Sequence, residues 1–412
     1  MAGEVHRLAP ALARAETVAN PIRRPGRASD PQRGAAPRRR VAFVTDIPTP
    51  YMLEVLKALA ELVDLTVLFC SHTGIRGMPW VSSDRLPFDH RVIDGATLRS
   101  GAPDRPDYYL SPRVFPALVR ARPEAVVSFG FSIPTFYAAT YCRLRRAPLI
   151  IYSDGSSEYE SRLGRHQLVA RAVLLRATSA CAALSRPAAD RFVELGVRPD
   201  RVFLAPHTST LDRLWEVARD REYERSARFT VLTAGRLVPH KGTDKLLLAA
   251  AAARAEHPEI RLVVVGSGPE EEGLRSLAAR LDLDVEFAGF VDHTDMPRRF
   301  AEADAFAFPT LEDPFGIVLL EAAAAGLPIV ASPHGGATRD LIEDSESGLI
   351  ADPRDTAAFA GALGELAGDP ERRRSLGQRA HRATLGRSPT DSAGGYVSAI
   401  EAALRARGRA KQ

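Results

Sequence analysis

From residue 41 onward, short and wholly apolar runs alternate with longer stretches whose apolar residues fall three or four apart. VAFVT (41–45), LTVLFC (65–70), AVVSF (125–129), PLIIY (148–152), SACAAL (179–184) and RVFLAP (201–206) read as strands. They are apolar at every position, as expected of parallel strands covered on both faces. Helical patterns fill most of the gaps, among them 132–146 and 185–195. The stretch 207–227 breaks the rhythm with a polar, charged run that reads as an interdomain connection. The alternation restarts with RFTVLTA (228–234), RLVVVG (261–266), VEFAGF (285–290), AFAFP (305–309) and PIVAS (328–332). Two successive βαβ series predict an α/β protein of two doubly wound, Rossmann-like domains facing across a cleft. The expected divisions are a leader at 1–40, domains at 41–210 and 211–388, and a C-terminal helical segment at 389–412 able to pack back on the first domain.

Charge changes the picture at one end only. Residues 1–40 carry nine arginines against Glu4, Glu16 and Asp30; the whole chain is +4, so the other 372 residues sum to −2. The body is not basic, which removes the main support for a nucleic-acid partner. The Arg/Ala/Pro-rich leader has no aromatic residue and no apolar core of a secretory signal, and reads as disordered. No 18 apolar residues run together, so no spanning helix is expected, and the chain is expected to be cytoplasmic. Cys70, Cys142 and Cys181 are scattered among apolar neighbours and read as buried free thiols.

The candidate chemistry sits where strands give way to helices, which is where ligands bind in such sheets. Arg236 and Lys241, in GRLVPHKG before a helix, can neutralise a diphosphate with help from the helix dipole; an ordinary solvated basic loop is the alternative. Gly266 and Gly268, in VVVGSGP, allow close approach of the backbone to a ligand or simply make a tight turn. Phe290 and Val291 follow a strand where the backbone can meet a nucleobase edge, although Phe290 reads first as core. The richest block is PTLEDPFGIVLLEAAAAGLPIVAS (309–332). Asp313 stands at a loop mouth, and Phe315, Gly316, Ile317 and Val318 lead into a helix ending near Ala325, whose first amides are free for phosphate oxygens. Glu321 lies among Leu320, Ala322 and Ala323, where a carboxylate needs a partner: two ribose hydroxyls, an internal salt bridge, or exposure.

In order and spacing these motifs resemble the nucleotide-sugar-binding domain of the retaining glycosyltransferases of family 4, which have the GT-B architecture. The resemblance is densest over 228–352 and is compatible with about 41–405. It implies that Arg236 and Lys241 contact the donor diphosphate, that Glu321 binds the ribose, and that Phe315–Val318 present amides to phosphate and sugar. It also implies a carboxylate pair eight residues apart, here Asp313 and Glu321 in place of two glutamates, with Asp313 stabilising positive character at the anomeric carbon; Glu312 is the substitute if the loop is shifted. The family's Gly-rich loop after the first strand is replaced by Asp46-Ile47-Pro48-Thr49-Pro50-Tyr51, so Asp46, Thr49 and Tyr51 are the acceptor-side candidates. The loop, Trp80 and the Ser-Asp-Gly after PLIIY resemble a subset of cell-surface polysaccharide transferases. Where the family carries His-Gly, this chain has Asp154-Gly155, and Asp154 either orients an acceptor hydroxyl, accepts its proton, or only makes a turn. His207, at a strand end, is a further cleft candidate or a buried linker residue.

The resemblance thus implies retaining transfer of a sugar from a nucleotide-diphosphate sugar to a saccharide, a lipid-linked saccharide or a metabolite. No cofactor and no metal are expected, since no clustered His and Asp ligands are evident. Stretch 161–176, with Arg162, Arg165, Arg171 and Arg176 among Leu163, Leu168, Val169, Val173 and Leu174, reads first as a solvated face over a core, and second as a helix for an anionic membrane. The competing functions are a nucleotide-sugar epimerase of the same fold and a non-catalytic nucleotide-sugar-binding regulator.

Overall fold

The computed structural model describes residues 38–71, 86–93, 95–98, 108–157, 160, 163–223, 228–342 and 346–409. The leader up to residue 37, Trp80 and Arg162 lie outside the described residues. In chain order the strands are β1 (Arg40–Thr45), β2 (Asp64–Phe69), β3 (Asp89–Val92), β4 (Ala96–Leu98), β5 (Tyr108–Leu110), β6 (Ala125–Phe129), β7 (Leu149–Ser153), β8 (Ala180–Ala183) and β9 (Val202–Leu204) in the first half. The second half adds β10 (Phe229–Ala234), β11 (Ile260–Val265), β12 (Val285–Gly289), β13 (Ala305–Phe308), β14 (Ile329–Ala331) and β15 (Leu349–Ile350).

Seven strands form one sheet in the order β3-β2-β1-β6-β7-β8-β9 and six form another in the order β12-β11-β10-β13-β14-β15. Every neighbouring pair in both is parallel; β4 and β5 make a small antiparallel pair of their own. Strand order reverses beside β1 and again beside β10, so each sheet opens a crevice at the carboxyl end of its first strand.

Alternate residues of a strand face opposite sides of its sheet, and here both sides are covered. On β1, Val41 and Phe43 enter one apolar cluster while Ala42 and Val44 enter another. On β10, Val231 and Leu232 divide in the same way. That double burial is why the runs are apolar at every position.

The helix Pro389–Arg409 comes from the end of the chain yet covers the first sheet. Ala393, Tyr396, Ala399, Ile400 and Ala403, three or four apart, enter the cluster containing Phe43, and the Phe43 and Tyr396 rings meet edge to face with centroids 5.4 Å apart. Burying such a ring is worth about 2–3 kcal/mol.

Two expectations are corrected. The polar stretch 207–227 is no bare connection: Asp212–Arg219 is helical, and Leu211 and Leu214 are buried in a core of the second half with Trp215 packed against it. An amphipathic helix spends most of its residues on solvent, which makes it look like a linker in sequence. The helix Arg165–Ala177 does not lay its apolar residues on a core either: Leu174 is its one buried residue, while Leu168, Val169 and Val173 are exposed. Cys70, Cys142 and Cys181 are buried free thiols.

Candidate active site at the carboxyl ends of the two sheets

The second sheet supplies one lip. After β10, Gly235–Gly242 folds back on the loop that follows β11. Gly266 has φ 127°, and a Cβ there would stand 1.8 Å from the Gly235 carbonyl oxygen; at Gly268 one would stand 2.2 Å from that of Leu237. The Leu237 amide donates to the Ser267 carbonyl at 3.0 Å. The glycines therefore let one loop lock onto the other, which fixes the backbone that carries the exposed Arg236.

The loop after β13 turns on Gly316, whose φ of 91° suits glycine and whose missing side chain makes room for the Phe308 ring, 2.3 Å from where a Cβ would lie. Gly316 caps the helix Ile317–Ala324, and the Leu319 amide reaches the Gly316 carbonyl at 2.9 Å. The preceding amides at the helix start are the ones an α-helix leaves without internal acceptors. Asp313 takes the Lys241 ammonium as its ion-pair partner and accepts the Phe315 amide at 3.2 Å. Lys241 is thus engaged by Asp313 in this structure, and a diphosphate would have to share or displace that pair.

Sequence reasoning missed the loop after β14. Asp313 pairs with Gly335 in an isolated parallel bridge, and the Ala337 amide donates to the Phe315 carbonyl at 2.7 Å. His334 of that loop turns toward Asp352, with Nε2 3.1 Å from Oδ2. The available signal was Pro333-His334-Gly335-Gly336 directly after a buried strand.

Glu321, partly exposed, has no salt bridge among the described residues. Ser209 donates its hydroxyl to Glu321 Oε1 at 2.8 Å. Burial pushes the Glu321 carboxyl up to about 7, against the pull of the Ser209 bond. Ser209 belongs to the connection out of β9, so both halves of the chain build this acid's surroundings.

The first sheet supplies the other lip. Thr49 precedes the helix Pro50–Leu62, in which Tyr51 stands near the start. Asp46, after β1, is pushed up to about 7, chiefly by burial and then by the charge of Asp154. Tyr51 is raised by burial and by the Asp154 and Asp313 carboxylates, partly offset by a hydrogen bond from Thr49. His207, 8 % exposed, stands between the lips. Its Nε2 lies 3.7 Å from Asp154 Oδ2 and has no hydrogen-bond partner among the described residues. Its ring meets Phe315 at 4.5 Å and Tyr51 at 6.0 Å between centroids. Below the lips, Asp340 accepts the Arg186 amide at 2.9 Å and pairs with Arg387 at 2.6 Å, tying the halves together.

Phe290 needs correcting as a core residue: it is 72 % exposed. The chain turns at Gly289, with φ 66°, and throws the ring outward, while Val291 packs against the core of the second half. Among the described residues no three His, Cys, Asp or Glu side chains converge as metal ligands.

Two parallel-sheet α/β domains, with cationic loop, helix start and carboxylates on one lip and acids, His and Tyr on the other, define an enzyme of the GT-B class. The family described as "Glycosyl transferases group 1" matches residues 216–383. A GDP-mannose-dependent alpha-(1-6)-phosphatidylinositol monomannoside mannosyltransferase of Mycobacterium tuberculosis is 33% identical over 269 residues, 61% of this chain and 69% of that one. A D-inositol 3-phosphate glycosyltransferase of Salinispora tropica is 35% identical over 271 residues, 61% of this chain and 55% of that one. Anabaena HepE, solved in complex with UDP, superposes with a TM-score of 0.70 at 19% identity, over 88% of this chain and 99% of that one. WaaG, a glycosyltransferase involved in lipopolysaccharide biosynthesis, does so at 0.59 and 18% identity, over 86% and 98%. At that identity the structural likenesses speak for the fold. The chain belongs to the group 1 glycosyltransferases.

Proposed function

We propose that the chain transfers a hexose-type sugar from a nucleoside-diphosphate sugar to an acceptor hydroxyl with retention of configuration. The observation that carries this reading is the meeting of Lys241, Asp313, the free helix start at 316–318 and Glu321 on one lip with Asp154, His207 and Tyr51 on the other.

Arg236 and Lys241 neutralise the diphosphate together with the amides of Gly316, Ile317 and Val318, which leaves no need for a metal. Glu321 accepts the ribose hydroxyls. Asp313, released by Lys241, faces the sugar and stabilises the positive charge growing at the anomeric carbon. Asp154 orients the acceptor. The acceptor oxygen bonds to the anomeric carbon on the face from which the phosphate departs, the carbon–phosphate-oxygen bond breaks, and the acceptor proton passes to the leaving phosphate oxygen.

GDP-mannose is the first donor to test because four of the similar proteins are named for it, with UDP- and ADP-sugars beside it. A lipid-linked acceptor suits the exposed Leu168, Val169 and Val173 on a helix that also carries Arg165 and Arg176, a face able to rest on the inner, cytoplasmic surface of an anionic membrane. Incubation with each donor, with and without acceptor and with EDTA added, tests the reading. Free nucleotide released only when acceptor is present supports it; an epimerised donor, or binding with no turnover, sinks it.

A further inference from the structure

A second cleft lies at the opposite edge of the first sheet. Pro148, Ser179 and Arg201, which line it, precede β7, β8 and β9, whereas Asp154 and His207 follow β7 and β9. Strands of three to five residues, with the turns that follow them, separate the two places by about 15 Å. The cleft encloses about 730 Å³ between the end of the helix Arg165–Ala177, the turn at Arg198–Arg201 and the last turns of the helix Pro389–Arg409.

Five arginines and one aspartate line it. The aspartate, Asp200, is already paired with Arg198 at 3.0 Å, and Arg405 pairs with Glu401 at 3.1 Å. Arg201 is pinned by neutral carbonyls, its Nε donating to Ser179 O at 2.8 Å and its Nη2 to Thr178 O, which leave its charge uncancelled. Arg176 and Arg407 have no carboxylate partner among the described residues, and the buried Nε of Arg407 has no acceptor there. Guanidinium groups gathered from three segments repel one another unless an anion sits among them, and their planar donor forks match phosphate oxygens two at a time.

We infer that this cleft binds a phosphate-bearing anion through Arg176, Arg201 and Arg407, with Arg198 at its rim, at a site separate from the donor site. The bound anion joins the C-terminal helix to the first sheet at its charged end. Its source is either free phosphate or the headgroup of an anionic lipid.

The test titrates the full chain with inorganic phosphate at constant ionic strength by calorimetry, and in parallel with phosphatidylglycerol and phosphatidylcholine vesicles by co-sedimentation. The Arg176→Ala/Arg407→Ala double variant, its Gln/Gln counterpart that keeps polar bulk, and Lys241→Ala are compared with the parent, each checked for native circular dichroism. Phosphate binding weakened about tenfold or more in both double variants and unchanged in Lys241→Ala establishes the site with free phosphate as its ligand. Binding to phosphatidylglycerol vesicles alone, lost in the double variants and also in a single Arg407→Ala variant that leaves the helix Arg165–Ala177 intact, assigns it to a lipid headgroup. Double variants that bind as tightly as the parent in both arms, or a parent that binds in neither, overturn the inference.

Discussion

Replacing Glu321 by Gln removes a charge that the empty protein holds at a loss. Burial raises this carboxyl from 4.5 to about 7. A shift of that size corresponds to about 3 kcal/mol at alkaline pH, an upper bound because the residue is partly exposed. The folded pKa lies above the unfolded one, so the contribution to stability is fully present below about 4.5 and is lost as pH rises through about 7. Glutamine keeps an acceptor for the Ser209 hydroxyl and carries no charge to bury. Glu321→Gln is therefore expected to melt roughly 3–6 °C above the parent at pH 8.5 and to gain well under half of that at pH 5. The same substitution weakens donor binding at pH 8.5 about tenfold or more, because hydrogen bonds from ribose hydroxyls to a charged acceptor are lost. Differential scanning calorimetry at the two pH values, with donor titrations on the same samples, makes the measurement. No gain at pH 8.5, or an equal gain at both, would refute the assignment of Glu321 as an acid kept ionised for a ligand against the preference of the fold.

Asp46→Asn is expected to behave alike in stability, since Asp46 is also raised to about 7 by burial and by Asp154; a melting gain that grows between pH 5 and 8.5 supports this, and a flat difference contradicts it. Arg236→Ala should raise the donor KM about 10–100-fold with the melting temperature unchanged, because Arg236 is exposed; steady-state kinetics with an unchanged KM would remove it from the donor site. Asp313→Asn should lower kcat about a hundredfold or more while circular dichroism stays native, and a kcat within a factor of two of the parent would rule out charge stabilisation there. Gly266→Ala forces a Cβ to within 1.8 Å of the Gly235 oxygen, so the two donor loops must part; a loss of roughly 2–4 kcal/mol in denaturant unfolding is expected, and a loss below 1 would show the loops to be loosely joined.

The two-sheet architecture was legible because parallel strands covered on both faces must be apolar throughout, as Val41–Val44 and Val231–Leu232 show. The candidate donor loops could be picked out because glycines, cations and acids follow those strands directly. What could not be read was set by contacts distant in sequence. Lys241 and Asp313 are 72 residues apart, and nothing in either loop announces that they pair. The partner of Glu321 is Ser209, a hydroxyl 112 residues away, rather than the cation of an internal salt bridge. His207 draws its surroundings from Tyr51, Asp154 and Phe315, three separate segments. Phe290 was misjudged as core because an aromatic ending an apolar run looks buried until the turn at Gly289 is seen. The helix at 165–177 was misjudged because Leu168, Val169 and Val173 have the spacing of a packed face, and spacing does not reveal whether anything packs on it.

Titrating UDP, GDP and ADP separately into the parent protein, Arg236→Ala and Glu321→Ala tests most directly whether the carboxyl ends of β10 and β13 form the donor site. At least one nucleotide should bind the parent one to one and each variant about tenfold more weakly or worse. A nucleotide that binds all three proteins equally, or none that binds the parent, would contradict it.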